Sequence, residues 1–334
     1  MSGSTQPCKL SQLTGVLEIG LRVMLQRTQR GPLTDDNDRI REAAVLTRLQ
    51  RRTDELTAGY LLVTASLMVL FREQVMYWSI LFCLHLTTAA LLLWLRSFSG
   101  PSRGLWKFLH DWYPVLVFPL LYKEVEFLAS AFGDWGLTGP IRSLEATLFQ
   151  GHPSLYLSQQ WNWIPLSEYL HFCYFAFMVM LPVVGGYWYG KGQMLAFREL
   201  LFLVCVAFYG SYLFFILFPV DSPFYLANPP EGPIADYFFY NLVHEISSRG
   251  GARGGAFPSI HVSASIIVLV VAWKRQRRLA YLLLPIVLGV MVATVYGRFH
   301  YVLDTIAGLA LGVAITSVYL GLESRTKKQT SPQY

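Results

Sequence analysis

Two histidines lie where apolar runs begin, in residues 257–261 (FPSIH) and 297–304 (GRFHYVLD). In the second segment His300 and Asp304 are four residues apart, so on a helix they would share one face. A carboxylate so placed can hold one ring nitrogen while the other points at a substrate. The pattern predicts an oriented imidazole nucleophile at His300, which the imidazole of His261 meets at one membrane face.

A glycine- and arginine-rich segment, residues 249–259, leads into the first histidine. Glycines let backbone N–H groups approach a ligand closely, and the N-terminus of the helix that follows favours an anion. We expect Ser259 and the N–H groups of that first turn to bind a phosphate, one turn from His261. The alternative is a flexible glycine loop that caps a helix, with His261 as a bystander at the interface.

The composition predicts a membrane protein: 54% of the 334 residues are hydrophobic and only 14% are charged. Apolar runs of bilayer length predict eight spans, near residues 57–72, 76–95, 112–131, 166–189, 197–219, 258–273, 279–297 and 301–321. The first is short and the third carries Lys123, Glu124 and Glu126, so either is also compatible with a re-entrant or interfacial helix. The expected fold class is an all-α polytopic transmembrane helix bundle.

The basic residues indicate an orientation. With a cytoplasmic amino terminus, 21 of the 27 lysines and arginines fall inside, as the positive-inside rule requires. Residues 1–56 are then a cytosolic N-terminal extension with an amphipathic stretch at 10–25, and residues 322–334 are a disordered cytosolic tail. Both termini are cytoplasmic, and both histidines face the periplasm, the extracellular side or a lumen.

Several functional classes are disfavoured by what the sequence lacks. The four cysteines are scattered, and no metal-ligand cluster, Walker loop or dinucleotide fingerprint occurs. The basic residues follow membrane topology and do not form a nucleic-acid-reading surface. We therefore expect no metal, no cofactor and no nucleic-acid partner; the pattern carries no signal for an oligomeric state.

The pattern Pro258-Ser259-x-His261, followed by His300-x-x-x-Asp304, resembles the second and third motifs of the type 2 phosphatidic acid phosphatase superfamily. That superfamily includes lipid phosphate phosphatases and inositol phosphorylceramide synthases.

The resemblance implies a phosphatase- or phosphotransferase-type core of about six helices over residues 112–321, preceded by two N-terminal transmembrane helices in residues 57–95. It also implies a metal-independent phosphoryl transfer through a phosphohistidine. His300 would attack phosphorus, Asp304 would hold its other nitrogen, and His261 would protonate the departing oxygen. Ser259 and neighbouring N–H groups would bind the nonbridging oxygens.

Some family positions differ in this chain. It has no Arg-Pro dipeptide, Ala293-Thr294 stands where the phosphatases have Ser-Arg, and Ile260 replaces a glycine. These departures disfavour an ordinary lipid phosphatase, because the missing cations would clamp the phosphate. Thr294 and the run at 300–304 (HYVLD) resemble the inositol phosphorylceramide synthase branch more closely. Arg253 and Arg298 are then the candidate phosphate-binding cations, although Arg298 could also snorkel to the interface. Lys123 is a third candidate, which the glutamates beside it are expected to satisfy.

Three functions stay open on this sequence. The leading one is a phosphotransferase that moves a phospholipid-derived or sphingolipid-type headgroup to a lipid alcohol. The second is a phosphatase that hydrolyses a lipid or isoprenoid phosphate, with water as the acceptor. The third is a non-catalytic transporter or membrane scaffold, although the paired repeats common in transporters are not evident.

Overall fold

The computed structural model describes residues 36–96, 104–226 and 237–329. Within these ranges the chain forms twelve α-helices and one 3₁₀ helix, Ser130–Trp135, and no strand. The α-helices are α1 (Asp36–Leu70), α2 (Trp78–Arg96), α3 (Leu105–Ala129), α4 (Thr138–Phe149), α5 (Pro153–Gln160), α6 (Ile164–Gly190), α7 (Met194–Leu217), α8 (Pro223–Leu226), α9 (Phe238–Gly250), α10 (Ile260–Arg275), α11 (Arg277–Tyr296) and α12 (Val302–Gln329). The predicted all-α polytopic bundle is confirmed.

Five of these helices, α2, α6, α7, α11 and α12, are long and apolar enough to cross a membrane. They coincide with five of the eight predicted spans. The three other predicted spans are helical but differ in composition or length. The apolar part of α1 continues a charged helix, α3 carries five charged side chains, and α10 has only 16 residues.

Helix α10 lies inside the bundle, where it packs against α6, α7, α11 and α12. Its close approach to α12 depends on two glycines one turn apart. A Cβ at Gly308 would collide with the Ser259 carbonyl oxygen, and one at Gly312 would lie 2.8 Å from the Ser263 carbonyl oxygen. Small residues at this spacing let two helix backbones meet. The packing sets the start of α10 beside the start of α12, which we call the histidine end.

The opposite end of the bundle is held by buried ion pairs. Arg275 Nε donates to Glu199 Oε2 at 2.7 Å, and Lys274 contacts both Glu199 and, at 2.6 Å, Glu323. Helix α12 extends to Gln329, so residues 322–329 of the expected disordered tail are helical instead.

The expected cytosolic extension is also partly helical, because α1 runs without a break from Asp36 through the expected boundary at residue 56. The amphipathic stretch at residues 10–25 and residues 330–334 lie outside the described residues.

Candidate active site

The two predicted histidines meet. His261 is in the first turn of α10 and His300 is in the turn between α11 and α12, and His261 Nδ1 lies 3.1 Å from His300 Nε2. On the far side of the ring, His300 Nδ1 lies 3.4 Å from Asp304 Oδ2. Because α12 begins at Val302, His300 precedes the helix, and the two side chains meet across its start and not along one helical face.

The hydrogen bonds around Asp304 indicate where the protons lie. Asp304 Oδ2 accepts the backbone N–H of Tyr301 at 2.8 Å, and because an ionised carboxylate can only accept, its contact with His300 Nδ1 assigns the ring proton to Nδ1. The neutral ring of His300 then carries its lone pair on Nε2. His261 Nδ1 must be the donor in the contact between the rings. An unprotonated nitrogen and a proton donor therefore face each other.

A segment far from both motifs connects their loops. Val220 donates its N–H to the Gly254 carbonyl oxygen at 3.0 Å and accepts the N–H of Ala256 at 3.0 Å. Ser222 Oγ donates to the Phe299 carbonyl oxygen at 2.6 Å. Gly254 has a φ of +81° and lies against Pro219, so a side chain is disfavoured there. In sequence the prolines at 219 and 223 indicate only that a helix ends there, whereas in the structure this segment links the two motif loops.

Aromatic rings fix the orientation of His261. Its ring stacks on Tyr174 with centroids 4.7 Å apart and contacts Phe177 at 4.5 Å. Tyr174 stacks in turn on Phe299, the residue before His300, at 4.1 Å. The imidazole pair therefore lies in an apolar wall, and His300 is only 3% exposed.

His261 and His300 line a cavity of about 520 Å³ whose other walls come mainly from α3, α6, α7, α9 and α10. Most of the lining is apolar and includes Val115, Phe118, Phe208 and Val268. From Ile260 to Val268 the cavity follows nine residues of α10, a rise of roughly 12 Å. A site of this size suits a sizeable apolar ligand whose polar end lies beside the histidines.

A family model described as the PAP2 superfamily matches residues 141–318, more than half of the chain. The chain belongs to the PAP2 superfamily. Its members are phosphatases and phosphotransferases, so the superfamily assigns this chain to enzymes that act on lipid phosphates. No curated protein and no solved structure matches the chain. The match runs from α4 into α12; it includes both motif loops and leaves α1 to α3 outside.

The three expected phosphate-binding residues of this PAP2 protein lie around the cavity but do not line it. Ser259 is buried and caps α10, its Oγ accepting the N–H of Val262 at 3.4 Å. Arg253 is exposed, and its guanidinium lies 5.4 Å from the ring centroid of Tyr225, which does line the cavity. Their contacts with phosphate stay predictions.

Arg298 points elsewhere. It has a φ of +64°, is only 5% exposed, and donates to the Leu155 carbonyl oxygen of α5 at 3.1 Å. Burial lowers the pKa of its guanidinium from the ordinary value. Its side chain is therefore packed within the protein and does not snorkel to an interface. Lys123 is satisfied as expected, by Glu126 at 2.8 Å and also by the Gly251 carbonyl oxygen at 2.9 Å.

Sequence reasoning missed one buried carboxylate near this PAP2 site. Glu145 of α4 accepts the N–H of Val302, the first residue of α12, at 2.7 Å. Burial raises the pKa of Glu145, while the hydrogen bond from Val302 and the neighbouring His152 oppose that shift. A single glutamate in a segment taken as a loop has no spacing relation to His300, so no sequence signal identified it.

Proposed function

We propose that the chain is an integral-membrane phosphotransferase that acts on lipid phosphate or phosphoalcohol headgroups through a phosphohistidine, similar to the inositol phosphorylceramide synthases. The observation that carries the proposal is the 3.1 Å contact between His261 Nδ1 and His300 Nε2 on the wall of an apolar cavity. The proposed reaction has two steps and needs no metal.

In the first step the lone pair on His300 Nε2 attacks phosphorus, and the bond from phosphorus to the donor lipid's alcohol oxygen breaks. His261 is an imidazolium before this step. It gives one proton to the departing oxygen and becomes a neutral imidazole. The anionic phosphoryl group favours the charged form of His261 before the step. Asp304 retains the proton on His300 Nδ1 and balances the positive charge that the phosphorylated ring acquires.

In the second step His261 takes the proton of an acceptor hydroxyl as its oxygen attacks phosphorus. The phosphorus–nitrogen bond breaks, His300 is restored, and His261 is again the imidazolium. A lipid alcohol and water are both chemically competent acceptors. The apolar cavity supports the lipid alcohol, because such walls hold an acyl chain and disfavour water.

Positive charge near the phosphate is required, because displacement at phosphorus depends on electrostatic stabilisation. We assign this role chiefly to Arg253, beside Tyr225 at the edge of the cavity, with Ser259 fixing the first turn of α10. Arg298 could bind the phosphate only if its guanidinium gave up the hydrogen bond to the Leu155 carbonyl oxygen. A matched pair tests Arg253: R253Q should raise KM about tenfold, whereas R249Q, at a residue 81% exposed in the same segment, should stay within about twofold.

We also propose that the histidine end faces the periplasm, the extracellular side or a lumen. Lys274, Arg275, Arg277 and Arg278 lie together at the opposite end, which the positive-inside rule places in the cytoplasm. Both termini would then be cytoplasmic. Cysteines introduced at 249 and 278 and treated with a membrane-impermeant thiol reagent test this: in sealed cells the reagent should label position 249 and spare position 278.

One assay separates the candidate functions. Purified protein is given phospholipid labelled in its headgroup phosphate, with and without ceramide or another lipid alcohol, and with and without EDTA. A labelled lipid product that depends on the lipid alcohol and persists in EDTA supports the proposal. Release of water-soluble labelled phosphate or phosphoalcohol alone would show a hydrolase. Absence of any turnover would leave the transporter or scaffold hypothesis.

The histidine variants test the intermediate. Acid-labile label on the protein should be trapped in the wild type and be absent in H300A. H261A should still form it from a substrate with a good leaving group, because such a group needs no proton donor. Labelled protein in H300A would refute the phosphohistidine.

A further inference from the structure

Glu145 is a buried carboxylate that contacts the turn at residues 300–302, which we call the catalytic turn, and the proposed reaction does not use it. Its side chain is fully buried, and both carboxylate oxygens have partners. Oε1 accepts the N–H of Val302 at 2.7 Å, and Oε2 lies 3.3 Å from His152 Nδ1. A carboxylate without such partners would be costly to bury. The position of Glu145 is therefore fixed by the groups that it contacts.

Those contacts join Glu145 to the nucleophile's own turn. The first N–H groups of a helix have no partner within the helix and favour negative charge. At the start of α12 two successive N–H groups are satisfied by two different carboxylates: that of Tyr301 by Asp304 and that of Val302 by Glu145. Val302 is two residues beyond His300. Asp304 therefore holds the turn from within α12, and Glu145 holds it from α4.

We infer that Glu145 is a positioning residue for His300, acting through the first turn of α12. The inference rests on the proposed function for its effect on turnover. Glu145 does not line the cavity, so it is not expected to contact the substrate. Its loss should free the turn at residues 300–302, so that the His300 ring no longer holds Nε2 against His261 and Nδ1 against Asp304.

The variants separate geometry from folding. E145A removes both acceptor oxygens, whereas E145Q keeps one oxygen for Val302 and should recover most of the loss. A matched control exists in α6: Glu168 accepts the N–H groups of Phe239 and Tyr240 at the start of α9, both at 3.0 Å. E168A therefore removes a half-buried carboxylate that also accepts N–H groups at the start of a helix but has no hydrogen bond to the turn at residues 300–302.

We expect kcat to fall about tenfold or more in E145A with KM within about twofold, since the ring is misplaced while the cavity is kept. In E168A kcat should stay within about threefold of the wild type, because the turn at residues 300–302 keeps its contacts. Equal losses of kcat in E145A and E168A would overturn the inference, because they would reflect folding alone.

A readout without substrate keeps the two proposals apart. Diethyl pyrocarbonate attacks unprotonated imidazole nitrogens, and the carbethoxylation of His300 can be followed by mass spectrometry of its peptide. In the wild type both ring nitrogens are engaged, so the rate at His300 should rise in E145A and stay unchanged in E168A. An unchanged rate in E145A would overturn the positioning role. A raised rate in a protein that turns over no lipid would support it while refuting the proposed function.

Discussion

The substitution D304N tests the catalytic turn most directly. In the structure a single oxygen, Asp304 Oδ2, accepts both His300 Nδ1–H and the N–H of Tyr301, while Oδ1 is buried without a hydrogen-bond partner in the described structure. An asparagine can keep its oxygen at the Oδ2 position and so preserve both contacts. What it loses is the negative charge, in the step where the His300 ring becomes positive.

The expected magnitude follows from that loss. Hydrogen bonds to charged groups contribute about 1.5–3 kcal/mol, against about 1 kcal/mol for neutral pairs. Because the asparagine keeps a neutral hydrogen bond, the loss is the difference, roughly 0.5–2 kcal/mol in the transition state, which lowers kcat about 2- to 30-fold. KM should change less than about twofold, because Asp304 does not line the cavity.

The assay is the single-turnover rate of phosphohistidine formation in purified D304N, with the melting temperature measured in the same detergent. A rate within twofold of the wild type at unchanged KM would refute the reasoning. So would a raised KM with unchanged kcat, since Asp304 would then act in binding.

Three further perturbations test the packing, the buried imidazoles and the cavity. G308A should lower the free energy of unfolding by about 1–3 kcal/mol, because its Cβ collides with the Ser259 carbonyl oxygen. G321A is the control, because a Cβ there has nothing within 4 Å, and it should leave the stability unchanged. Equal melting temperatures for the two variants would contradict this. Burial lowers the pKa of His244 to about 3, so its unfolded ring takes up a proton near pH 6.5 before the folded ring does, and stability should fall as the pH drops from 7.5 to 5.5. H244N should remove about 1 kcal/mol of that pH dependence in melting curves, and an identical dependence in both proteins would contradict the assignment. A264F fills the cavity one turn from the catalytic histidine of α10, so transfer to long-chain acceptors should fall about tenfold while a short soluble phosphate ester is still used; equal losses for both would count against the cavity as the acyl site.

The sequence was most informative where local signals decide the structure. Apolar runs of bilayer length located α2, α6, α7 and α11 to within a few residues, and they located the start of α12, which continues eight residues beyond the predicted end. The two histidines were expected to meet because their types and flanking residues fit one chemistry, and they lie 3.1 Å apart. Hydropathy was less informative for α10, because a helix enclosed by other helices does not need the length or composition of a lipid-facing span.

The contacts that hold the catalytic turn could not be predicted from local signals. Glu145 and Val302 are 157 positions apart, and a carboxylate that caps a distant helix looks in sequence like any surface glutamate. Ser222, which donates to the Phe299 carbonyl oxygen, is 77 positions from Phe299, and the prolines at 219 and 223 beside it indicate only that a helix ends there. The positive φ of Arg298, which turns its side chain toward α5, likewise depends on tertiary packing.

These contacts divide the molecule into a part that sets the chemistry and a part that sets the substrate. The glycines of α12 fix the register of α10 against α12, and the ion pairs of Lys274 hold the far ends of both helices. His261, His300 and Asp304 are therefore placed by one tightly packed helix pair, which serves transfer and hydrolysis equally. The cavity walls come largely from α3, α6, α7 and α9, and α3 lies outside the range matched by the superfamily. Since the proposed phosphohistidine would be common to both reactions, we expect the choice between a lipid alcohol and water to lie in those walls, and substitutions there should change the acceptor without abolishing the intermediate.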